Sequence, residues 1–289
     1  VSNLNHTAGD PSSLPAHSIK SIYTDSYGNV WAGSIRDGLI GISSSKMKTY
    51  SDVHIGMDTG LSNPTTLCLY QDINNEDIWI GTDGEGLNRF TPSTNRFTHF
   101  NSTLKTKVVS IASFSKDELV LSVYGDRFWV FHKKTGSIRE MTVNDAAINY
   151  QMKFTGRALN VINEADGKIL IVGNTVNRYD RQSCKCTPIY PDDGSKIYGN
   201  ILPMGHTEEG VWFHSSKSLY LLTTGALSLK AIGNITEDSQ IRCGRVDDQN
   251  RIWLATTTGV KLFDIGTSSF QNIDTNLFSE ASSIICDRN

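Results

Sequence analysis

The stretch that decides the fold is residues 19–42, which read IKSIYTDSYGNVWAGSIRDGLIGI. The pattern returns at residues 67–90, which read LCLYQDINNEDIWIGTDGEGLNRF, and at residues 241–263, which read IRCGRVDDQNRIWLATTTGVKLF. Each copy has an apolar run with Asp near its end, a turn rich in Gly, Asn or Asp, and a Trp between apolar residues. Gly or Ala and then Ser or Thr follow, before a second apolar run. Such an internal repeat indicates a modular architecture.

Weaker copies fill the gaps at residues 108–131, 159–179 and 201–222. The equivalent positions lie 41 to 50 residues apart, and they are Trp31, Trp79, Val120, Leu170, Trp212 and Trp253. A seventh copy begins at Ala281 with ASSIICD.

Each copy contains four short runs of β-forming residues bounded by turn residues. In the first copy the predicted strands are Ile19–Thr24, Asn29–Gly33, Gly38–Ser43 and Met47–Ser51. No stretch has the sustained apolar spacing of an amphipathic helix, so we expect almost no helix.

Four antiparallel strands in each repeat are typical of a β-propeller blade. We therefore predict an all-β chain, residues 1–289, that forms a single β-propeller domain of four-stranded antiparallel blades. Six blades start near residues 19, 67, 108, 159, 201 and 241, and a partial seventh starts at 281, so the design is seven-bladed and truncated. Val1–His6 is a candidate outer strand of a neighbouring blade. The predicted blade-core residues are Ile22, Trp31, Leu39, Leu69, Trp79, Leu87, Trp212, Trp253 and Phe263.

Composition narrows the class of protein. Hydrophobic residues make up 38% and charged residues 20%, which excludes a disordered, collagen-like or coiled-coil chain. The net charge of −3 gives no basic field for nucleic acid or a membrane surface. The chain begins in a polar segment without Met, and we interpret it as a fragment or a processed product.

The five cysteines predict neither a disulfide framework nor a metal centre. Their number is odd, and the pair Cys184 and Cys186 has no second Cys pair or His pair that would complete a zinc site. We therefore expect no metal and no cofactor, and any redox role of this pair stays open.

The repeat resembles the two-component regulator propeller repeat. The resemblance rests on D-x-x-G-N-V-W-A-G-S at residues 25–34 and on I-W-I-G-T-D-G-E-G-L-N-R-F at residues 78–90. The middle copies depart from the pattern, because Val120 and Leu170 replace Trp and Phe213-His214 replaces the Gly-Thr step.

The resemblance implies the periplasmic sensor of a hybrid two-component histidine kinase, of a type common in gut Bacteroidetes. Such a sensor has a second propeller, a β-sandwich and one membrane helix in the same full-length chain, and acts as a homodimer. It binds glycan-derived oligosaccharide and controls polysaccharide-utilisation genes. No kinase, receiver or DNA-binding motif lies within these 289 residues, so we expect this segment to be non-enzymatic and to bind no nucleic acid. Any membrane attachment would come through another region.

Enzyme motifs are missing from the sequence. It has no G-x-S-x-G elbow, HExxH, P-loop or Rossmann fingerprint. The glycine-rich run at residues 81–86 lies between two predicted strands, so we interpret it as a hairpin turn. A propeller lyase would need a His and Glu pair near the axis, which His206 and Glu208 could imitate.

A ligand site is expected on the face formed by loops between the second and third strands and by loops between blades. Planar polar side chains can bind sugar hydroxyls, and an aromatic ring can stack on the sugar. The candidate ligand-binding residues are Arg36, Asp37, Asp83, Glu85, Tyr124, Asp126, Arg127, Asn174, Asn177, His214 and Lys217. Two alternatives stay open: a protein-interaction scaffold, and a propeller lyase or hydrolase.

Overall fold

The computed structural model describes residues 13–14, 18–25, 28–42, 47–50, 59–72, 74–100, 104–126, 128–144, 160–164, 168–197, 199–236 and 238–273. These residues form 24 β-strands and no helix, so the all-β prediction is confirmed for them. No helix in this part of the chain has the length and apolar character needed to cross a membrane. The chain divides into two compact units, the first ending at Asn163 and the second beginning at Glu164.

The first unit contains three antiparallel sheets of four strands, each paired in chain order. The first sheet consists of β1 (Ile19–Thr24), β2 (Val30–Ser34), β3 (Leu39–Ile42) and β4 (Met47–Tyr50). The second consists of β5 (Thr66–Gln71), β6 (Ile78–Thr82), β7 (Leu87–Thr91) and β8 (Arg96–His99). The third consists of β9 (Val108–Ser113), β10 (Glu118–Val123), β11 (Phe128–His132) and β12 (Ile138–Glu140). The unit ends with β13 (Asn160–Asn163).

The second unit contains the other eleven strands. Its first group is β14 (Lys168–Val172), β15 (Val176–Asp180) and β16 (Lys185–Pro191). Its second group is β17 (Leu202–Thr207), β18 (Gly210–His214), β19 (Ser218–Thr223) and β20 (Ser228–Asn234). A separate sheet consists of β21 (Ile241–Val246), β22 (Arg251–Thr256), β23 (Gly259–Asp264) and β24 (Ser269–Asn272).

The predicted blade starts agree with the observed first strands to within one residue. The predicted partial blade from 281 and the predicted strand Val1–His6 lie outside the described residues. The number of blades and the single-domain assignment therefore stay predictions.

Alternating side chains of each inner strand pack against two neighbouring sheets. On β6, Ile78 and Ile80 join a core with Trp31 and Phe90, whereas Trp79 joins a core with Phe131 of the third sheet. All five residues of β6 are buried because both of its faces are covered. The Trp of the repeat is therefore a packing residue in the first two sheets, as predicted.

Three predicted core residues are less buried than expected. Ile22 and Leu69 are half-buried at the margins of cores. Trp253 is also half-buried, and the guanidinium carbon of Arg251 lies 5.5 Å from the centre of its ring. The Arg251 side chain therefore covers part of the Trp253 indole in place of apolar residues.

The Asp of the repeat fixes the first hairpin of the sheet. Asp25 Oδ2 accepts a hydrogen bond from Trp31 Nε1 at 2.9 Å, and its Oδ1 accepts one from the backbone N–H of Asn29 at 2.8 Å. Asp247 accepts from Trp253 Nε1 in the same way, at 2.8 Å. The same six-residue spacing between Asp and Trp in the first and sixth copies is thus explained by one hydrogen bond.

The Ser or Thr and the Gly of the repeat close the second hairpin. The Ser34 hydroxyl donates to the carbonyl of Gly38 at 3.0 Å, and the Thr82 hydroxyl donates to the carbonyl of Gly86 at 3.0 Å. Gly86 has a positive φ of 74°, and a Cβ there would collide with the carbonyl of Leu104. Glycine is therefore required by conformation and by space at this turn.

The second unit has one pairing that the repeat did not predict. β16 and β20 are each the last strand of their group, and they pair in parallel through Tyr190 with Ser228 and Pro191 with Leu229. The strand order in this unit is β14, β15, β16, β20, β19, β18 and β17. Two outer strands thus cover part of each other's open edges.

Candidate functional site

The loops between second and third strands lie beside the segments that lead into the first strands. In four of the sheets the loop donates a backbone N–H to the carbonyl of the residue directly before the first strand of the same sheet. The pairs are Ile35 to Ser18 (3.0 Å), Asp83 to Thr65 (3.0 Å), Tyr124 to Lys107 (2.9 Å) and Thr257 to Gln240 (2.9 Å). In these four sheets the two kinds of loop therefore meet at the same end, as predicted.

The third sheet carries the most exposed aromatic side chain of the predicted set. Tyr124 is 56% exposed, and its backbone is held by the hydrogen bond to Lys107. The Lys107 ammonium lies 6.0 Å from the centre of the Tyr124 ring and 2.7 Å from Asp83 Oδ1. The structure thus brings together two predicted residues, Asp83 and Tyr124, through a third that was not predicted.

The charges of this group are accessible to solvent. The Lys107 side chain is 50% exposed and the Asp83 side chain 34%. The hydrogen bond to Asp83, and then its negative charge, raise the pKa of Lys107 above its ordinary value. An acceptor, a donor and an aromatic ring therefore lie together on the surface of the first unit, and we name Asp83, Lys107 and Tyr124 the tyrosine cluster.

The tyrosine cluster has the chemistry that binds a polyhydroxylated ligand. The Asp83 carboxylate can accept from a hydroxyl group, and the Lys107 ammonium can donate to one. The Tyr124 ring offers an apolar face together with a polar hydroxyl at its tip.

Three other predicted residues of the first unit, Arg36, Asp37 and Glu85, are not part of the tyrosine cluster. Arg36 is exposed and has a positive φ of 84°, which is uncommon for a residue other than glycine and strains the loop locally. The backbone N–H of Asp37 is held by the Ser34 hydroxyl at 2.9 Å. The carbonyl of Glu85 accepts from Ser62 Oγ at 3.2 Å.

Two predicted residues follow Tyr124 in the same loop. Asp126 Oδ2 accepts a hydrogen bond from Trp129 Nε1 at 3.2 Å, which ties this carboxylate to β11. Arg127 lies outside the described residues.

The predicted residues of the second unit differ in accessibility. Asn174 is exposed, and Asn177 is half-buried with its amide donating to Thr175 Oγ1 at 2.9 Å. Lys217 is half-buried, and its carbonyl accepts from the N–H of Ile235 at 2.9 Å.

His214 differs from the rest because it is only 2% exposed. Its Nδ1 is 2.9 Å from the carbonyl of Ser215, so Nδ1–H donates to this oxygen. Burial lowers the pKa of His214 to about 4, although the bond to Ser215 opposes the shift. The imidazole is therefore neutral at pH 7 and has little surface for a ligand.

Lys107 was missed because its segment is not part of the repeat signature. It lies two residues after Lys105 and directly before β9, in a segment between two sheets. The prediction named this kind of loop but took individual residues only from the loops between second and third strands. The available signal in the sequence was a Lys directly before β9, the first strand of the sheet that carries Tyr124.

The described residues contain no group of three or more His, Cys, Asp or Glu that could hold a metal ion. Burial raises the pKa of the Cys68 thiol to about 12, which makes it unreactive. Cys184 is half-buried, and Cys186 is buried on β16.

Comparison with known proteins gives a family match for one repeat and fold matches for most of the chain. The model of the two component regulator propeller family matches residues 13–36, which include β1 and β2. The resemblance found in the sequence is therefore confirmed in this repeat. No curated protein sequence matches the chain significantly.

Solved structures show the fold. The extracellular domain of a hybrid two component system from B. thetaiotaomicron is similar with a TM-score of 0.73 and 19% identity, over 95% of this chain and 38% of that one. The β-propeller domain of Cps50 (Swd1) from Myceliophteria thermophila is similar with a TM-score of 0.67 and 8% identity, over 92% and 88% of the two chains.

An enzyme shares the same fold. A catalytically inactive virginiamycin B lyase from Staphylococcus aureus, solved with quinupristin, has a TM-score of 0.66 and 13% identity, over 91% and 86% of the two chains. This chain is thus similar to β-propellers, and it spans 38% of the length of the two-component domain.

Proposed function

We propose that this chain, which carries a two component regulator propeller repeat, is a ligand-sensing β-propeller of a hybrid two-component system. Its ligand is an oligosaccharide released from a degraded glycan, and the propeller itself is non-catalytic. The observation that carries this proposal is the tyrosine cluster, where an exposed ring lies beside a half-buried carboxylate and an exposed ammonium group.

The chemistry of the cluster favours a sugar over an apolar ligand. A sugar ring has C–H groups that pack on an aromatic face and hydroxyl groups that need polar partners at its edge. The Lys107–Asp83 pair offers one donor and one acceptor 2.7 Å apart, a spacing that suits neighbouring hydroxyl groups. The strained loop at Arg36 is a further polar element in the first unit.

The context of the full-length protein belongs to the same proposal. The family match and the two-component neighbour support a periplasmic ectodomain of an inner-membrane protein that controls polysaccharide-utilisation genes. A second propeller, a β-sandwich and a homodimer complete the proposed sensor, as the resemblance to the propeller repeat implies. Binding would then shift a conformational equilibrium that the kinase reads.

The test is titration calorimetry of this chain against a panel of plant and host glycan fragments, using the wild type and a Tyr124→Ala variant. We expect one class of fragment to bind the wild type and Tyr124→Ala to weaken that binding about tenfold or more. Tyr190→Ala is the matched control, since Tyr190 is 60% exposed on β16 and lies outside the candidate loops.

Equal loss of binding in both variants, or no loss in Tyr124→Ala, would remove the tyrosine cluster from the proposal. No binding of any fragment would contradict the sensing role of this chain. Turnover of a fragment by the wild-type protein would favour the lyase or hydrolase alternative instead.

A further inference from the structure

The loops between second and third strands have the same length in the three sheets of the first unit. They are residues 35–38, 83–86 and 124–127, so that four residues separate the two strands in each sheet. The first residue of each loop donates its backbone N–H to the residue before the first strand of its sheet, as described above. The three loops can therefore be compared position by position.

The second position of the loop has the left-handed backbone conformation in all three sheets. Its φ is 84° at Arg36, 110° at Gly84 and 72° at Gly125. Glycine adopts this conformation freely, whereas a residue with a Cβ does so at a steric cost. Arg36 is therefore the residue of the three that has a side chain in spite of this cost.

Packing does not account for the Arg36 side chain. A Cβ at Gly84 or at Gly125 would have no atom within 4 Å, so this loop position faces open space. Arg36 is itself exposed, and its guanidinium group forms no ion pair with any described residue. The contacts within the described chain thus give no reason for an arginine here.

Hydrogen bonds hold the loop around Arg36 in its strained conformation. The backbone N–H of Asp37 donates to Ser34 Oγ at 2.9 Å, and that of Gly38 donates to the carbonyl of Pro64 at 2.7 Å. A strained residue persists only where its surroundings fix it, and such residues concentrate at binding sites. The strain at Arg36 therefore indicates that its side chain contacts a ligand.

The first loop is joined to the second through the segment before β5. Gly38 donates to the carbonyl of Pro64, and the backbone N–H of Asp83 donates to the carbonyl of Thr65, the next residue, at 3.0 Å. This segment thus connects the loop of Arg36 with the loop of Asp83, which belongs to the tyrosine cluster.

The second loop is joined to the third in the same way, through the segment before β9. The backbone N–H of Gly86 donates to the carbonyl of Thr106 at 3.1 Å, and that of Tyr124 donates to the carbonyl of Lys107, the next residue. Backbone segments joined by such bonds lie about 5 Å apart, so the four steps from Arg36 to Tyr124 extend over about 20 Å. A ligand that contacts both residues has to be longer than one sugar ring.

The first loop offers the same two kinds of contact as the tyrosine cluster. Ile35, at the loop position of Tyr124, is 41% exposed and provides an apolar surface. The Arg36 guanidinium provides a planar set of N–H donors, which suits two neighbouring acceptor oxygens. Sugar C–H groups and neighbouring hydroxyl groups fit this pair of side chains.

The charges of the three loops favour an uncharged ligand. Among their described residues Arg36 is the one cation, whereas four carry a negative charge: Asp37, Asp83, Glu85 and Asp126. These loops therefore have no positive field that would attract an anion, and Arg36 acts here as a hydrogen-bond donor.

We propose that Ile35 and Arg36 form a second sugar subsite, the arginine subsite, and that Arg36 determines which oligosaccharide binds. This inference rests on the function proposed above, and it defines the ligand as a chain of several uncharged sugar units. The chain extends from the arginine subsite to the tyrosine cluster. Arg36 donates to two neighbouring hydroxyl groups of one unit, and the Tyr124 ring packs on another unit.

Calorimetry of the whole chain tests the proposal, with the best-binding class of fragment in increasing length from a single sugar unit upward. We expect the affinity of the wild type to rise with length, and Arg36→Gly to abolish this gain and weaken the longest fragment about tenfold. Arg36→Lys keeps the charge but lacks the planar donors, so it should restore only part of the affinity.

Thermal unfolding of the same variants separates a ligand contact from a structural role. Arg36→Gly relieves the strained backbone and removes no described side-chain contact, so it is expected to melt at or above the wild-type temperature. Glu76→Gly is the matched control, because Glu76 is exposed and has a positive φ of 63° in the turn between β5 and β6, at the other end of its sheet. It should leave binding unchanged.

The outcomes distinguish this inference from the proposed function. Loss of binding in Tyr124→Ala but not in Arg36→Gly would overturn the arginine subsite and leave the sensing role in place, whereas no binding of any fragment to the wild type would overturn both. A lower melting temperature of Arg36→Gly would give Arg36 a structural role instead. Equal affinity for all lengths, or tighter binding of carboxylated or sulfated fragments, would contradict the ligand proposed here.

Discussion

At the scale of single residues, one carboxylate departs from the repeat. Asp72 occupies the position of Asp25 and Asp247, but its Oδ2 lies 2.7 Å from the ammonium of Lys133, which directly follows β11 of the third sheet. Burial raises the pKa of Asp72, but hydrogen bonds from Lys133 and Asn74 outweigh it, so the pKa lies below its ordinary value. Trp79 Nε1 is left buried with no partner among the described residues. The second copy therefore has an ion pair from Asp72 to the neighbouring sheet, where the first and sixth copies have a hydrogen bond between Asp and Trp within one sheet.

Replacing Lys133 with Met is expected to reduce the free energy of unfolding by about 3 kcal/mol, because Asp72 would stay buried and unpaired. Urea denaturation at pH 7 measures the change. Lys134→Met is the matched control, because Lys134 is 80% exposed and 3.9 Å from Asp117, and it should leave stability unchanged. Unpaired Asp72 would have a raised pKa, so the penalty should shrink as the pH falls from 7 towards 4. A penalty that is constant with pH would contradict this account.

Buried His214 makes a second prediction at this scale. Its pKa is about 4 in the folded chain and about 6.5 when unfolded, so the unfolded chain binds the proton first. The stability that depends on neutral His214 is therefore complete above about pH 6.5 and is lost as the pH falls towards 4, by an amount of about 3 kcal/mol. His214→Gln should flatten this part of the curve of unfolding free energy against pH. His206→Gln, at an exposed position on β17, should leave the slope as in the wild type.

At the scale of elements, the first hairpins of the first, fifth and sixth copies each have an acceptor for the indole N–H. In the sixth copy, Asp247 accepts from Trp253 Nε1 at 2.8 Å, from the Arg251 N–H at 2.9 Å and from the Gln249 N–H at 3.0 Å. In the fifth copy the Thr207 hydroxyl accepts from Trp212 Nε1 at 3.0 Å. The turn thus keeps its acceptor for the indole while the residue type changes.

Asp247→Ala should lower the free energy of unfolding by about 2 kcal/mol, since several donors lose their acceptor together. Asp248→Ala tests the neighbouring exposed carboxylate and should be close to neutral. Guanidinium denaturation of both variants gives the comparison. Similar losses in the two would show that charge, and not the hydrogen bonds of Asp247, stabilises the hairpin.

Strand positions could be predicted from the sequence because the repeat is local. β1 was predicted as Ile19–Thr24 and is observed there, since apolar runs and turn residues fix a hairpin within one copy. Lys133 as the partner of Asp72 could not be predicted, because that contact depends on how two sheets pack. Likewise, the burial of Trp253 depended on Arg251, whose side chain covers the ring.

At the scale of the whole molecule, the fold class could be predicted and the ligand site only in part. Repeated four-stranded units indicated the β-propeller, and solved propellers agree with it. Asp83 and Tyr124 were predicted separately, but their connection through Lys107 required the structure. His214 was predicted to lie in a loop, whereas it is the buried last residue of β18. Side-chain direction at a strand end is set by packing, which the repeat does not encode.

The parallel contact between β16 and β20 has a consequence for the order of folding. Every hairpin joins neighbours in the chain and closes a short loop, whereas this contact joins residues 190–191 to residues 228–229. Closing the longer loop costs more chain entropy. Only two paired positions between the strands offset this cost. These hydrogen bonds should therefore form after both groups of strands exist and open first when the protein is perturbed. Amide hydrogen exchange among the strands of this unit should be fastest at the contact between β16 and β20. The two groups of strands would then separate first at this contact.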